Sequence, residues 1–339
     1  WQIGLALGAY GLTQALLQIP FGRWSDRFGR RLLITLGLVL YGVGSVIGAL
    51  STTIGGVIVA RLVQGAGAVS GPVTALLADL TRAEVRTRAM AVIGISIGGS
   101  FIVSLVAAPL LSALIGVRGL FWVMAALATL CVTLLWRVVP PPPHLQVSRS
   151  ASLQGVFTRE LMPYYAGVFV LNVVLTLTFF GVPFALRDQL GIVAADQWKT
   201  YLSVFLASIL PTVPLVLMTE RVRAPIHLMR IAAGLLALSL AGLIWAHRHY
   251  GGLCVALIGF FTAFNYLESR LPARLSQVAG ADSRGAALGV FATAQFLGAF
   301  VGGLMAAACS AAAGLVGVFA AGACVAAGWL VWVWRAAHD

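Results

Sequence analysis

Charge is scarce in this chain. Only 9% of its 339 residues are Asp, Glu, Lys or Arg, against roughly a quarter in a soluble globular protein. The shortage excludes an aqueous surface large enough to wrap a soluble core. Acids are scarcer still, with 10 Asp and Glu against 22 Lys and Arg and a net charge of +12. The 4 cysteines, Cys131, Cys254, Cys309 and Cys324, each sit in an apolar run with no short pairing between them. That spacing argues against a disulfide framework or a zinc site, and small buried residues are expected instead. No period-two alternation runs through the apolar segments, so a membrane β-barrel is a poor alternative. A cleavable signal peptide is not visible, and the chain opens at Trp1 already inside an apolar run, so a truncated N-terminus is expected.

What is present is apolar and periodic. Sixty per cent of the residues are hydrophobic, and they come in runs of about 20, the length a helix needs to cross roughly 30 Å of hydrocarbon. Lipid offers backbone groups no partner, so the runs must be helices. Eleven spans are predicted, at 2–21, 32–51, 54–80, 89–115, 119–139, 163–186, 198–219, 227–246, 251–272, 285–308 and 314–335. Residues 140–160 break the pattern, with Pro140 to Pro143 followed by Ser148, Ser150, Ser152 and Gln154. They read as a polar linker between residues 1–139 and 161–339.

The basic residues are a topology signal. With the segment Arg23 to Arg31 cytoplasmic, alternation puts seventeen of the 22 Lys and Arg on that side. Four fall opposite (Arg118, Arg187, Lys199 and Arg248), and Arg61 lies within a span. Such asymmetry follows the positive-inside rule, and nucleic acid is not an expected partner. A missing first span would put both termini in the cytoplasm and equalise the halves at six spans each. The halves also echo each other in their acids. Asp26-Arg27 is matched by Glu220-Arg221, and Asp79 by Glu268, as in a protein built from repeats.

Two stretches of the first half carry specific signals. The first is Gly22-Arg23-Trp24-Ser25-Asp26-Arg27-Phe28-Gly29-Arg30-Arg31. Its two glycines suit a tight turn and close helix approach. Asp26 is an anion able to sit at a helix N-terminus, and Arg30 can pair with Asp26 or with Asp79. A plain basic loop would explain the arginines but not the Gly/Asp/Gly spacing. The second is Arg61-Leu62-Val63-Gln64-Gly65-Ala66-Gly67. A bare cation at the depth of Arg61 would cost several kcal/mol, so it should face a cavity or a partner, with Gln64 on the same face. Snorkelling to the surface is the alternative.

These two stretches resemble the loop 2–3 and helix 4 signatures of the major facilitator superfamily. Phe264-Asn265-Tyr266-Leu267-Glu268-Ser269-Arg270-Leu271-Pro272 resembles the helix 10 signature of YajR-type members of its drug:proton antiporter branch. Asn265 and Glu268 share a helical face, with an interfacial polar cluster as the other reading. Gly98-Gly99 and Ala108-Pro109 depart from the antiporter pattern of helix 5. The resemblance implies an all-α membrane fold of two six-helix bundles with helix 1 absent and eleven spans present. It implies a conformational latch of Gly22, Asp26, Gly29, Arg30 and Asp79, with Asp26 against a helix starting near Ser283 to Gly285. Arg61, Gln64, Asn265 and Glu268 would lie on a proton route or cavity. Gln14, Asn172, Thr176 and Gln295 would line the substrate cavity, each open to a simple interhelical hydrogen bond instead.

The expected activity is proton-coupled export of lipophilic small molecules by alternating access, in a bacterial-type inner membrane. The coupling carboxylate would lie in the missing helix 1, because no acid is expected at mid-membrane. An uncoupled facilitator or lipid exporter, and a non-transporting sensor or scaffold, are the alternatives. An enzyme would need clustered nucleophiles, bases or metal ligands, which are not seen. His144, His227, His247, His249 and His338 lie in loops or at span ends, so no metal and no cofactor are expected. Expected partners are the substrate, protons and membrane lipid, around a monomer.

Overall fold

The computed structural model describes residues 2–82, 85–140, 156–221, 225–279 and 284–335. Among these residues the chain forms ten α-helices and no strand. They are α1 (Gln2–Phe28), α2 (Arg30–Leu50), α3 (Ile54–Ala66), α4 (Ser70–Leu80), α5 (Arg86–Arg137), α6 (Met162–Phe184), α7 (Gln197–Arg221), α8 (Pro225–Ala246), α9 (Tyr250–Val278) and α10 (Arg284–Arg335).

Two of these, α5 and α10, are 52 residues long. At 1.5 Å per residue each would reach roughly 78 Å, more than twice a bilayer core. Each is broken by a glycine at positive φ, Gly116 at 68° and Gly314 at 61°. The packing of α10 on α6 shows that the break reverses the chain. Before it, Gly298 abuts Phe169 and Gly302 abuts Val173, so the two helices run the same way. After it, Phe319 meets Gly181 and Trp329 meets Gly167, so they run oppositely. Among the described residues nine helical stretches are long and apolar enough to cross a membrane, with α3 and α4 counted as one, and dividing α5 at Gly116 and α10 at Gly314 turns these nine into eleven segments.

The chain divides into two compact units, Ala9–Gly155 and Trp1–Gly8 with Val156–Asp339. In the first, α2 packs antiparallel to the second half of α5. Arg31 donates to the Leu135 carbonyl at 3.0 Å and lies over the Trp136 ring, while Gly48 at the other end of α2 abuts Phe121. Glycines let α1, α2 and α3 meet backbone to backbone. A methyl group on Gly65 would overlap the Tyr10 carbonyl, and one on Gly67 the Gly37 carbonyl. Overpacking of this kind costs about 1–3 kcal/mol. In the other unit, α6 is the central helix, and Val173, Leu177, Phe180, Ala306 and Val318 form its core with α10.

The structure corrects several expectations. The loop 2–3 signature is not a loop. Helix α1 runs through Gly22 and Asp26 to Phe28, and Gly29 is the only residue between it and α2. Gly29, at φ 103° and ψ 139°, makes the turn, a conformation open essentially to glycine. Gly22 has nothing within 4 Å of where a Cβ would stand, so close approach is not its role. The span at 54–80 is not one continuous helix but breaks at Gly67 to Val69. Helix α9 runs to Val278, past the expected end at 272. Cys131 and Cys324 are exposed and Cys254 and Cys309 half-buried. In a spanning helix an apolar thiol facing outward meets lipid, so nothing drives it inward. Most of the linker, residues 141–155, and with it His144, lies outside the described residues, as do Ser283 and His338.

Candidate functional site

Three polar clusters stand out from the apolar packing, two in the first unit and one in the second. At the junction of α1 and α2, Arg30 gathers both expected acids. Its guanidinium forms an ion pair with Asp26 one turn earlier and donates Nε to Asp79 Oδ2 of α4 at 3.1 Å. Nη1 also donates to Ser25 Oγ at 2.8 Å, and Ser25 Oγ donates to the Gly22 carbonyl at 2.7 Å. The positive φ at Gly29 lets Arg30 start a new helix while its side chain reaches back to α1. Arg30 is only 12% exposed against 30% and 34% for Asp26 and Asp79, so the cation is the enclosed member, with anions around it. The fork geometry of guanidinium allows this sharing, which a lysine ammonium could not reproduce. Of the helix start expected to receive Asp26, near Ser283 to Gly285, Ser283 lies outside the described residues and α10 begins at Arg284.

The second cluster surrounds Arg61 of α3. Arg61 Nη1 donates to Gln64 Oε1 at 3.0 Å, and the guanidinium lies 4.8 Å from the centroid of the Tyr10 ring. Gln64, fully buried, donates its Nε2 to Ser45 Oγ of α2 at 2.8 Å. Ser45 in turn donates to the Tyr41 carbonyl at 2.8 Å. A chain of donors thus runs from a cation on α3 into α2. Arg61 is partnered on both its plane and its edge, unlike a side chain reaching for water. Arg61→Ala is expected to lower transport about tenfold, the loss of one cation–π contact of up to ~2 kcal/mol. Arg61→Lys, which keeps a cation over Tyr10, should retain part of the activity. Undiminished transport by Arg61→Ala in liposomes would restore the snorkelling reading.

Glu268 of α9 defines the third cluster. Its Oε1 accepts a hydrogen bond from Gln295 Nε2 of α10 at 2.8 Å, while Oε2 is buried without a partner among the described residues. Glu268 precedes the end of α9 by about ten residues, roughly 15 Å of helix, so it is no terminal residue. The two acids matched by sequence position therefore sit in different surroundings. Asp79 is half-exposed and ion-paired, whereas Glu268 is enclosed and meets a neutral amide. Asn265 is half-buried on the same face, and no hydrogen bond joins it to Glu268. Arg270, two residues on, donates to the Val216 carbonyl at 2.6 Å.

The remaining cavity candidates are dispersed. Asn172 donates to the Val168 carbonyl at 3.0 Å, and Thr176 to the Asn172 carbonyl at 2.9 Å, so both bond within α6. Gln14 is buried and reaches Gln18 Oε1 at 3.5 Å, with its own Oε1 unpartnered. Gln18 then donates to Ser70 Oγ at 2.7 Å, bridging α1 to the start of α4. Sequence reading missed Gln18, Tyr10 and Ser45. Gln18 was findable, since it follows Gln14 by one helical turn on the same face. Among the described residues, no three His, Cys, Asp or Glu side chains come together to hold a metal.

Comparison with known proteins agrees with this architecture. The family model described as Major Facilitator Superfamily matches residues 2–302. Inner membrane transport protein YajR of Escherichia coli is 40% identical over 307 residues, covering 89% of this chain and 67% of that one. Multidrug resistance protein 1 of Bacillus subtilis is 25% identical over 288 residues, 82% of this chain and 73% of that one. Among solved structures, the nucleoside transporter NupG superposes with a TM-score of 0.78 at 14% identity, over 99% of this chain and 90% of the other. That last likeness bears on the fold alone.

Proposed function

The chain belongs to the Major Facilitator Superfamily and is a multi-pass membrane transporter, and from this premise we propose that it exports lipophilic small molecules by alternating access, driven by inward proton flow. The observation that carries the proton coupling is Glu268. Oε1 can accept from Gln295 whether or not Oε2 carries a proton, so the α9–α10 link persists in both states. Oε2 changes from a bare acceptor to an O–H donor when a proton binds. A carboxyl group with one oxygen anchored and one free is suited to pick up and release a proton without dismantling its surroundings. This reading places the coupling carboxylate in α9.

The substrate class rests on what the other candidates offer. Gln14, Asn172, Thr176 and Gln295 are neutral, and Asn172 and Thr176 satisfy much of their hydrogen-bonding capacity within their own helix. Few committed charges leave little to recognise a sugar phosphate or a carboxylate. The relative named as a multidrug resistance protein supports a lipophilic cargo and the outward direction. Asp26, Arg30 and Asp79 would act as a conformational latch that ties α1, α2 and α4 together in one state of the cycle.

Liposomes holding the purified protein and a panel of lipophilic fluorescent dyes test the proposal. With an imposed pH gradient, dye should accumulate against its own gradient while a pH-sensitive probe reports proton movement in the opposite direction. Dye movement that only ever equilibrates, indifferent to pH, would establish an uncoupled facilitator. No dye movement under any gradient would favour a sensor or scaffold.

A further inference from the structure

A site unconnected with transport chemistry lies where α8 turns into α9. A cavity of 270 Å³ opens there, lined by Ile244, Trp245, His247, Arg248 and Val316. One of these five, Arg248, can donate to an anion. Arg248 makes no ion pair among the described residues, whereas Arg187 and Lys199 are paired with Asp188 and Asp196. His247 is only 3% exposed and is held in place, its Nδ1 bonded to the Leu243 carbonyl at 3.1 Å and its ring 5.9 Å from that of Phe319. A carbonyl only accepts, so Nδ1 carries the proton and Nε2 is an acceptor, which cannot donate to a phosphate oxygen. The other three lining residues are apolar. Trp245 is 72% exposed at the end of a helix long and apolar enough to span a membrane. Indole rings in that position lie at the level of lipid headgroups.

We propose that this cavity binds the phosphate of a membrane phospholipid, with Arg248 on the phosphate oxygens, the fixed His247 ring as part of the wall, and Trp245, Ile244 and Val316 along the glycerol and upper acyl chains. The chemistry common to a lipid and a free anion is the phosphate, and the apolar wall selects between them. A hydrated inorganic ion gains nothing from Ile244, Val316 and an exposed indole, while a phosphodiester carrying acyl chains does. The size agrees, because 270 Å³ falls just below the range of roughly 300–1,000 Å³ that encloses drug-sized ligands. It holds a headgroup and leaves the chains in the bilayer. The proposal is independent of substrate and coupling ion.

The test uses the purified protein in detergent, titrated separately with phosphatidylglycerol, phosphatidylcholine, diacylglycerol and inorganic phosphate. Melting temperature and native mass spectrometry give the binding readout. Both phospholipids should bind and raise the melting temperature, whereas diacylglycerol and inorganic phosphate should not. Arg248→Ala should weaken phospholipid binding about tenfold, as expected for loss of a charge-assisted hydrogen bond. Arg248→Lys should retain part of it, and Arg187→Ala should leave it unchanged. Equal stabilisation by diacylglycerol would show that only the acyl chains matter and overturn the proposal. Saturation by inorganic phosphate would reduce the site to a free-anion site, and unchanged lipid affinity in Arg248→Ala would place the lipid elsewhere.

Discussion

Glu268→Gln is expected to abolish proton-driven accumulation of substrate while leaving the protein folded. Glutamine has the same shape and keeps a carbonyl oxygen where Oε1 accepts from Gln295 Nε2 at 2.8 Å. What it cannot do is exchange a proton at the Oε2 position, which is buried and without a partner among the described residues. The α9–α10 hydrogen bond survives in weaker form, since neutral pairs are worth about half of charge-assisted ones, so the stability loss should stay near 1 kcal/mol. In liposomes the variant should still equilibrate dye down a concentration gradient but should no longer respond to an imposed pH difference. Glu268→Leu provides the contrast. It also strips Gln295 of its acceptor, and a buried unsatisfied amide costs about 1–3 kcal/mol, so that variant should lose thermal stability as well as coupling. If Glu268→Gln concentrates dye as the parent does, the proton is carried by another group and Glu268 is structural.

Asp26→Asn should show the opposite division, with slow cycling in a protein of nearly unchanged stability. Arg30 would keep Asp79 at 3.1 Å and Ser25 at 2.8 Å, and a partly exposed ion pair contributes only about 0.2–1 kcal/mol to folding. A conformational equilibrium is more sensitive than folding to the same energy. A bias of about 1 kcal/mol between two states moves their ratio about fivefold. Transport should therefore fall by up to about fivefold, and a cysteine placed in the cavity should change its accessibility to an impermeant reagent. Arg30→Lys should behave alike, because a single ammonium cannot reproduce the Nε and Nη1 contacts to two acids and a hydroxyl. Normal transport with unchanged accessibility, or outright misfolding, would make the cluster a structural ion pair and nothing more.

Much of this molecule follows from local rules a single chain obeys. The scarcity of charge excluded a soluble fold, and the run length left helices as the form of the spans. The grouping of Asp26, Arg30 and Asp79 was also readable, because Gly29 and the two short spans between positions 30 and 79 bring α4 back beside α2. Helix geometry put Arg61 and Gln64 on one face, and the structure joins them at 3.0 Å.

Other features depend on long-range packing and leave no local trace. That Gly29 alone forms the turn, while a Cβ on Gly22 would meet nothing within 4 Å, could not be told from the spacing of two glycines. Gln295 read as one more cavity amide, because nothing near it in sequence says that α10 lies against α9 at Glu268. Glu268 itself looked like a residue at a helix end, since hydropathy falls after Pro272 whether or not the helix continues to Val278. The sequence alone determined the solvent in which this protein folds, a consequence of composition and period, and pointed through its motifs to the family to which it belongs. Only the tertiary structure decided which carboxyl oxygen is left without a partner, because that depends on which side chains from distant helices arrive beside it.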